Sequence, residues 1–163
     1  MLNSLTVRWG LPVLIIVIAA ATSARADPVD VQHQFLDSLD RGDVAGALTL
    51  FTDDAVIDSE SGNCAAAPCV GKAAIQSDLE RIVKDKSRHV TVLNTYVSGD
   101  VVVTRFEAHS AKIHKSGADR IILWGIREIR GDKIASSRCC LPDRTDSQTA
   151  QFLTWEYAHP AVE

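Results

Sequence analysis

Apolar residues recur at helical spacing in three segments of the first half of the chain. The first segment begins at Pro28, a residue suited to the first turn of a helix, and ends at Gly42. The second follows Asp43, a plausible N-cap, and the third begins at Lys72. The apolar stripes are Val31, Phe35, Leu36 and Leu39, then Val44, Ala47, Leu48 and Phe51, then Ile75, Leu79, Ile82 and Val83. These stripes predict three amphipathic helices, each with one buried face.

The second half of the chain changes to short runs rich in β-branched residues, separated by turns of hairpin length. The predicted strands cover residues 89–97, 101–114, 120–130 and 133–141. A further short strand is predicted at residues 53–59, followed by a loop rich in Gly, Ala, Pro and Ser. Four strands joined by short turns predict an antiparallel meander, so the fold class expected is α+β with the helices on one sheet face.

The first 26 residues are expected to lie outside the fold. Arg8 precedes an eleven-residue apolar run from 11 to 21, and Ala24-Arg25-Ala26 resembles a signal-peptidase site. The run is about half the roughly 20 residues that a membrane-spanning helix needs. We therefore predict a signal peptide at 1–26, cleavage after Ala26, and a protein that is secreted or periplasmic. One domain at 27–163 remains, with its core at about 29–152 and a tail at 153–163.

Charge and cysteine content narrow the possible functions. Without the predicted signal peptide the chain has 15 basic and 21 acidic residues and no basic stripe, which argues against nucleic-acid binding. Cys64 and Cys69 enclose four residues and are predicted to form a local disulfide. Cys139 and Cys140 are adjacent, and on a regular strand they would point to opposite faces, so at least one is expected to be buried. No further His or Cys pair supplies a metal site, and neither a metal nor a cofactor is predicted.

Several segments resemble the nuclear transport factor 2-like superfamily, in particular its SnoaL-like and ketosteroid-isomerase-like branch. The segments that carry the likeness are 35–43 (FLDSLDRGD), 47–58 (ALTLFTDDAVID), 70–76 (VGKAAIQ) and 128–138 (EIRGDKIASSR). The resemblance implies a curved sheet and helices that form a cone with one open mouth, a small-molecule pocket inside the cone, and a homodimer through the outer sheet face.

The same resemblance argues against ketosteroid isomerisation. The position of the catalytic carboxylate falls on Ser59, that of the oxyanion-hole tyrosine on Phe35, and that of its assisting aspartate on Gly125. Phe35 has no hydroxyl, Gly125 has no side chain, and a serine without an activating neighbour is a very weak base. Asp53 and Asp54 are expected to shape a turn.

Polar side chains on the predicted strands are the remaining candidates for a site. The register implied by the resemblance points Arg105, Glu107 and His109 into the cone, where Glu107 and His109 are candidates for acid–base catalysis. The predicted ligand-binding residues are Phe35, Ser59, Arg105, Glu107, His109, Leu123, Gly125, Arg127, Ser137 and Cys139. A register shifted by one residue would instead place the charges of strand 101–114 on the outer face as cross-strand ion pairs.

Three functions remain open from the sequence. The first is binding of a small organic ligand in the cone. The second is an isomerase, cyclase or hydratase activity that uses Glu107 and His109, with Arg127 as anion stabiliser. The third is an interaction module whose sheet face is the functional surface. Ile122, Trp124 and Ile126, with Phe106 beside them, form an apolar row that fits a homodimer interface. Trp155 and Tyr157 belong either to a short helix over the mouth or to a loose tail.

Overall fold

A computed structural model describes residues 26–159, and its centre is a curved, unclosed sheet of six strands. The predicted signal peptide lies, apart from Ala26, outside the described residues and stays a prediction. The helices are α1 (Pro28–Asp40), α2 (Val44–Thr49), α3 (Gly71–Lys84), α4 (Ala111–Lys115) and α5 (Ser147–Ala158). The strands are β1 (Phe51–Ser59), β2 (Cys69–Val70), β3 (His89–Ser98), β4 (Val101–His109), β5 (Ile121–Arg130) and β6 (Lys133–Pro142). The α+β class predicted from the sequence is confirmed.

The strand order is β2-β1-β6-β5-β4-β3, and β3 to β6 form the predicted antiparallel meander. The first strand completes the sheet differently, because β1 runs parallel to β6 and pairs Ser59 with Cys139. A parallel pair needs a long crossover, and here the crossover contains α3 and the first three strands of the meander. The sheet is therefore mixed, and the parts of β1 and β6 that carry Ser59 and Cys139 lie side by side.

Helix boundaries follow local capping chemistry. The Asp27 carboxylate accepts a hydrogen bond from the Val29 N–H at 2.9 Å, and Pro28 occupies the first turn of α1. Beyond α1 the chain reverses at Gly42, where φ is +70°, a conformation that glycine adopts without a side-chain clash. The three N-terminal helices are thus found where the apolar periodicity predicts them.

The strand predicted at residues 101–114 is wrong in its last third. β4 ends at His109, and the Ser110 hydroxyl accepts from the Ile113 N–H to begin the short helix α4. Ile113 is buried in α4, and a strand at this position would also bury an apolar residue. The apolar pattern therefore does not distinguish a strand from one turn of helix here. Asp53 and Asp54 also differ from expectation, because they lie within β1 and pair with Lys72 at 2.7 Å and Arg130 at 3.3 Å.

Two apolar clusters close the inner face of the sheet at opposite ends. The larger cluster joins α1, α2 and α3 to the sheet and includes Phe35, Phe51, Ile75, Leu79, Val102, Ile129 and Ile134. The smaller cluster, at the other end of β4 and β5, consists of Ala108, Ile113, Ala118, Ile121 and Phe152. Phe152 comes from α5, which continues as a helix to Ala158; Leu153 and Trp155 pack against the cluster, whereas Tyr157 is exposed. Between the two clusters the interior is not filled.

Candidate functional site

A cavity of about 140 Å³ lies between the inner face of the sheet and helices α1 and α3. Most of its wall is apolar, formed by Phe35, Leu36, Leu39, Ile57, Leu79, Ile82, Val90 and Phe106. The polar groups of the wall are three arginines, two aspartates and three serines, namely Arg81, Arg88, Arg127, Asp78, Asp85, Ser59, Ser61 and Ser137. Asp78 pairs with Arg81 at 3.0 Å. Concave apolar walls with a small number of polar groups are typical of sites for small organic molecules.

Strand pairing explains why these polar groups meet. Residues directly opposite each other on neighbouring strands share a face of the sheet. Ser137 is opposite Ile57 on one side and Arg127 on the other, and Arg127 is opposite Val102. This row crosses four strands next to the larger apolar cluster and forms the closed end of the cavity. Ser59 lies two residues further along β1, beside Cys139.

Arg127 is buried in this row without an acidic partner. Arg127 is only 4% exposed, and its Nη1 donates to Gln32 Oε1 at 2.7 Å. The guanidinium also lies over the Phe35 ring, with Cζ 4.7 Å from the ring centroid. Within the described residues the Nε–H has no acceptor. Burial, with a smaller contribution from the nearby Arg88 cation, lowers the pKa of Arg127 to about 10.

Arg88 places a second cation at the cavity wall. It follows α3 in a turn closed by a hydrogen bond from its N–H to the Asp85 carbonyl at 3.1 Å. Burial lowers the pKa of Arg88, Asp40 opposes that shift, and Arg81 adds to it. Arg81 also lines the cavity, so its wall carries three arginines. Within residues 26–159 the hydrogen-bond partner of Arg127 is the Gln32 amide.

The vicinal cysteines lie at a bulge in β6. Ile126 pairs with Arg138 and Trp124 with Leu141, so Cys139 and Cys140 together face the single residue Gly125. Cys140 has a φ of +68°, which breaks the alternation of side chains, and the two cysteines are joined by a disulfide. Both line the cavity. The expectation that they point to opposite faces is wrong because it assumes a regular strand. The other predicted disulfide, Cys64–Cys69, is also present.

The cavity opens into a wider mouth of about 430 Å³ beneath α5. Ser61, Arg81, Asp85, Arg88 and Cys140 border both spaces, which makes them the neck between the two. Phe152, Leu153 and Glu156 of α5 form part of the outer wall. The N-cap of α5 is Asp146, whose carboxylate accepts from the Thr149 N–H and hydroxyl, each at 2.9 Å, and pairs with Arg120. Helix α5 therefore partly covers the mouth.

Three of the predicted site residues lie on the opposite face of the sheet. Alternate residues of β4, namely Val102, Thr104, Phe106 and Ala108, are buried on the inner side. Arg105, Glu107 and His109 alternate with them and face outward, where Arg105 pairs with Asp143 at 3.3 Å and lies over Trp124. Glu107 accepts from His109 at 2.8 Å and pairs with Arg120 at 3.2 Å. The placement of these three side chains inside the cone is thus corrected, although His109 reaches the rim of the mouth.

The other predicted residues are on the inner side. Phe35, Ser59, Arg127, Ser137 and Cys139 line the cavity, Leu123 borders the mouth, and Gly125 lies beside Arg127 and Phe106. The Ser59 hydroxyl accepts from the Ser61 N–H at 3.3 Å, so it also fixes the turn after β1. Ligand binding by any of these residues stays a prediction.

Gln32, Arg88 and Phe106 are cavity or near-cavity residues that sequence reasoning missed. Gln32 has a recognisable signal, because it lies one turn before Phe35 and Leu36 on the buried stripe of α1. A long polar side chain on such a stripe needs a buried partner, and that partner is Arg127. Within residues 26–159 there is no cluster of metal-ligating side chains and no helix long and apolar enough to cross a membrane.

Comparisons with known proteins agree with this architecture. The structure resembles an NTF2-like protein of unknown function from Cytophaga hutchinsonii, with 13% identity, a TM-score of 0.57, and coverage of 76% of this chain and 96% of that one. A putative polyketide cyclase from Sinorhizobium meliloti has 19% identity and a TM-score of 0.57, covering 70% and 99%. A hypothetical protein with a ketosteroid isomerase-like fold from Catenulispora acidiphila, in complex with trimethylamine, has 20% identity and a TM-score of 0.54, covering 68% and 83%.

At these identities the solved structures show the fold alone. No curated protein sequence matches the chain. The family model for the SnoaL-like domain matches residues 33–137, which include α1 from its second turn, all of α2 and α3, and the sheet as far as the middle of β6. The match covers more than half of the chain and contains most of the residues that build the cavity. The chain therefore belongs to the SnoaL-like domain family.

Proposed function

We propose that the protein binds a small organic anion, a carboxylate no larger than about a single ring or a short chain, in the cavity between the sheet and helices α1 and α3. The observation that carries the proposal is the burial of Arg127 without a counter-ion among the described residues. A buried charge is costly unless it is paired, and such a charge at a cavity wall marks the place of an anionic ligand.

The shape of the arginine supports a carboxylate in particular. A guanidinium offers five N–H donors in a planar fork that matches the two oxygens of a carboxylate. Gln32 accepts from Nη1 only, and the Phe35 ring fixes the plane of the group from one side. The Ser137 and Ser59 hydroxyls on the same wall supply further donors.

The size and walls of the cavity restrict the rest of the ligand. An engineered cavity of about 150 Å³ accommodates a benzene molecule, which is close to the volume here of about 140 Å³. Phe35, Ile57, Leu79 and Phe106 present carbon rather than polar atoms to the remainder of the ligand. A single-ring carboxylate combines the anion that Arg127 requires with a body that fits the apolar wall.

The proposal assigns no reaction to the site. Glu107 and His109 face outward, so the acid–base pair considered from the sequence does not reach the cavity. Two disulfides support export as part of the proposal, because disulfides persist in oxidising compartments. We accordingly place the protein outside the cytoplasm as part of the proposal.

Calorimetric titration with three compounds of one shape tests the proposal. Benzoate, benzamide and benzylamine share a ring and differ in charge, and we expect benzoate to bind about 10- to 100-fold more tightly than benzamide. Arg127→Gln should remove this preference, whereas Arg105→Gln, which alters an outward arginine that also lies over an aromatic ring, should retain it. Equal affinity for benzoate and benzamide in the wild-type protein would refute the proposal. Native mass spectrometry of protein purified from its source would identify a co-purifying acid.

A further inference from the structure

The two disulfides of the chain have contrasting surroundings. Cys64 and Cys69 belong to the larger apolar cluster and are 1% and 8% exposed. Cys139 and Cys140 are half-buried, line the cavity, and Cys140 also borders the mouth. Attack on a disulfide requires that a thiolate reach one sulfur along the bond axis. The structure offers such a path to the vicinal pair through the mouth.

The bulge in β6 brings this disulfide to the cavity surface. Gly125 is the residue of β5 that lies opposite both cysteines. Because glycine has no side chain, no side chain of β5 covers the disulfide from that position. A β-carbon added to Gly125 would be 3.5 Å from Arg127 Nη1 and 3.5 Å from the Phe106 ring. Gly125 thus lies in contact range of Arg127 and Phe106, and Arg127 lines the same cavity as both cysteines.

We propose that the Cys139–Cys140 disulfide is a site of thiol–disulfide exchange with small thiols that carry a carboxylate, an inference that rests on the anion site proposed above. The incoming thiolate attacks one cysteine sulfur, a mixed disulfide forms, and the other cysteine leaves as a thiolate that takes up a proton. A second thiol molecule then attacks the sulfur that the first thiol molecule brought into the mixed disulfide, and the cysteine bound to it leaves as a thiolate that takes up a proton. The products are the small-molecule disulfide and a protein dithiol, so the two electrons come from the thiol substrate.

Two of the cavity arginines explain the preference for an anionic thiol. Arg127 and Arg88 attract the carboxylate to the same cavity that the disulfide lines. Their positive charge also stabilises the cysteine thiolate that departs, since cations next to a cysteine favour its ionised form. A neutral thiol gains only the second of these effects. Charge on the substrate should therefore change the rate at Cys139–Cys140 and not at Cys64–Cys69.

Differential alkylation of the wild-type protein tests which disulfide opens. After timed exposure to 3-mercaptopropionate, free thiols are blocked with one maleimide, the remaining disulfides are reduced, and the new thiols are labelled with a second maleimide. Trypsin places Cys139 and Cys140 together in the peptide 139–144, and Cys64 and Cys69 together in the peptide 42–72. We expect the first peptide to acquire the first label at least about tenfold faster. Equal rates, or faster opening of Cys64–Cys69, would overturn the proposal.

The charge preference is measured with 3-mercaptopropionate and its neutral amide, each rate being divided by the rate of the same thiol on hydroxyethyl disulfide. We expect the normalised rate at peptide 139–144 to be about tenfold higher for the carboxylate. Arg127→Gln should abolish that ratio and Arg105→Gln should retain it. A ratio of one in a wild-type protein that binds benzoate overturns the exchange site alone. A ratio of one in a protein that does not bind benzoate overturns the anion site as well.

Discussion

The Nη1 atom of Arg127 donates to the Oε1 atom of Gln32 at 2.7 Å, and this bond joins α1 to β5 inside the fold. Gln32 is 1% exposed, and its own Nε2–H group has no acceptor within the described residues. The pair thus presents a buried cation and a buried amide donor at one end of the cavity. Both are donors, so an acceptor-rich group such as a carboxylate complements them.

A single and a double substitution at this pair should show that the buried cation costs stability. Gln32→Leu removes the only hydrogen-bond acceptor that Arg127 has within residues 26–159, and is expected to lower the free energy of unfolding by about 1–3 kcal/mol. The double variant Gln32→Leu/Arg127→Met removes both polar groups and should be at least as stable as the wild-type protein. Urea unfolding measures all three. A double variant less stable than Gln32→Leu alone would show that Arg127 stabilises the fold instead.

Ligand binding should depend on pH in the alkaline range. Burial lowers the pKa of Arg127 to about 10, so the guanidinium is charged at neutral pH and loses its proton within reach of experiment. The bound anion favours the protonated form, and linkage then requires the affinity to fall as pH rises through the pKa of the free protein. We expect constant benzoate affinity between pH 6 and 9 and a decrease of up to about tenfold per pH unit above 10.

Benzamide provides the control for the alkaline titration, because its binding does not depend on a cation. Its affinity should remain constant over the same range while circular dichroism reports an intact fold. A parallel decrease for both compounds would point to loss of structure rather than to deprotonation of Arg127.

Substitution of the outward charges should leave the cavity unchanged. Arg105 and Glu107 are paired with Asp143 and Arg120 on the face opposite the cavity. We expect Glu107→Gln to alter benzoate affinity by less than about twofold and to lower stability by about 1 kcal/mol or less, as for other partly exposed ion pairs. Calorimetry on the variant checks this, and a tenfold loss of affinity would restore the inward placement of β4 side chains.

Removal of the α5 cap should destabilise the protein in a pH-dependent manner. Burial opposes ionisation of Asp146, but hydrogen bonds from Thr149 and the pairing with Arg120 outweigh it and hold the pKa of Asp146 below its usual value. A carboxylate with a lowered pKa stabilises the folded state above its unfolded pKa and loses this contribution as pH falls through the folded pKa. Asp146→Ala should therefore cost about 1 kcal/mol or more at pH 7 and progressively less below pH 4.

Asp132→Ala is the matched control for the cap variant. Asp132 lies in the exposed turn between β5 and β6 and is 3.8 Å from Lys133. Its removal should change the urea midpoint little at either pH. If the two variants had the same pH dependence, the cap of α5 would not be the source of the effect.

The homodimer predicted from the sequence can be tested on the outer sheet face. Tyr96 stacks on Trp124 with ring centroids 6.4 Å apart, and Ile126 is exposed two residues further along β5. Ile122 is buried and Phe106 points into the cavity, so the predicted apolar row is shorter than expected. We expect a dimer by sedimentation at micromolar concentration, converted to a monomer by Ile126→Asp but not by Tyr157→Asp in α5. A wild-type monomer would refute the prediction.

Helices α1 to α3 and the antiparallel order of β3 to β6 could be predicted from the sequence because apolar spacing in these segments is regular. Helix α4, strand β2 and the position of β1 beside β6 were not predicted. The sheet face on which each β4 side chain lies could not be predicted, since Val101, Val102 and Val103 provide no contrast between the two faces. The charges at Arg105 and Glu107 then fit either a solvated row or a polar interior, and the bulk of Phe106 was the discriminating signal. The bulge at Cys139 and Cys140 could not be predicted either, because it arises from pairing with Gly125 rather than from the local sequence of β6.

The parallel pairing of β1 with β6 has a consequence for how the chain acquires its structure. Ser59 pairs with Cys139, which lies 80 residues later, so β1 can join the meander of β3 to β6 only after β6 has been made. Contacts between distant residues form slowly, because the entropy of closing a long loop is lost before any contact compensates for it. Synthesis from the N-terminus allows Ile57 to pair with Cys69 of β2 early, but leaves the other edge of β1 unpaired until β6 emerges. Completion of the sheet should therefore be a late step of folding, with a rate that depends on closing the long loop between β1 and β6.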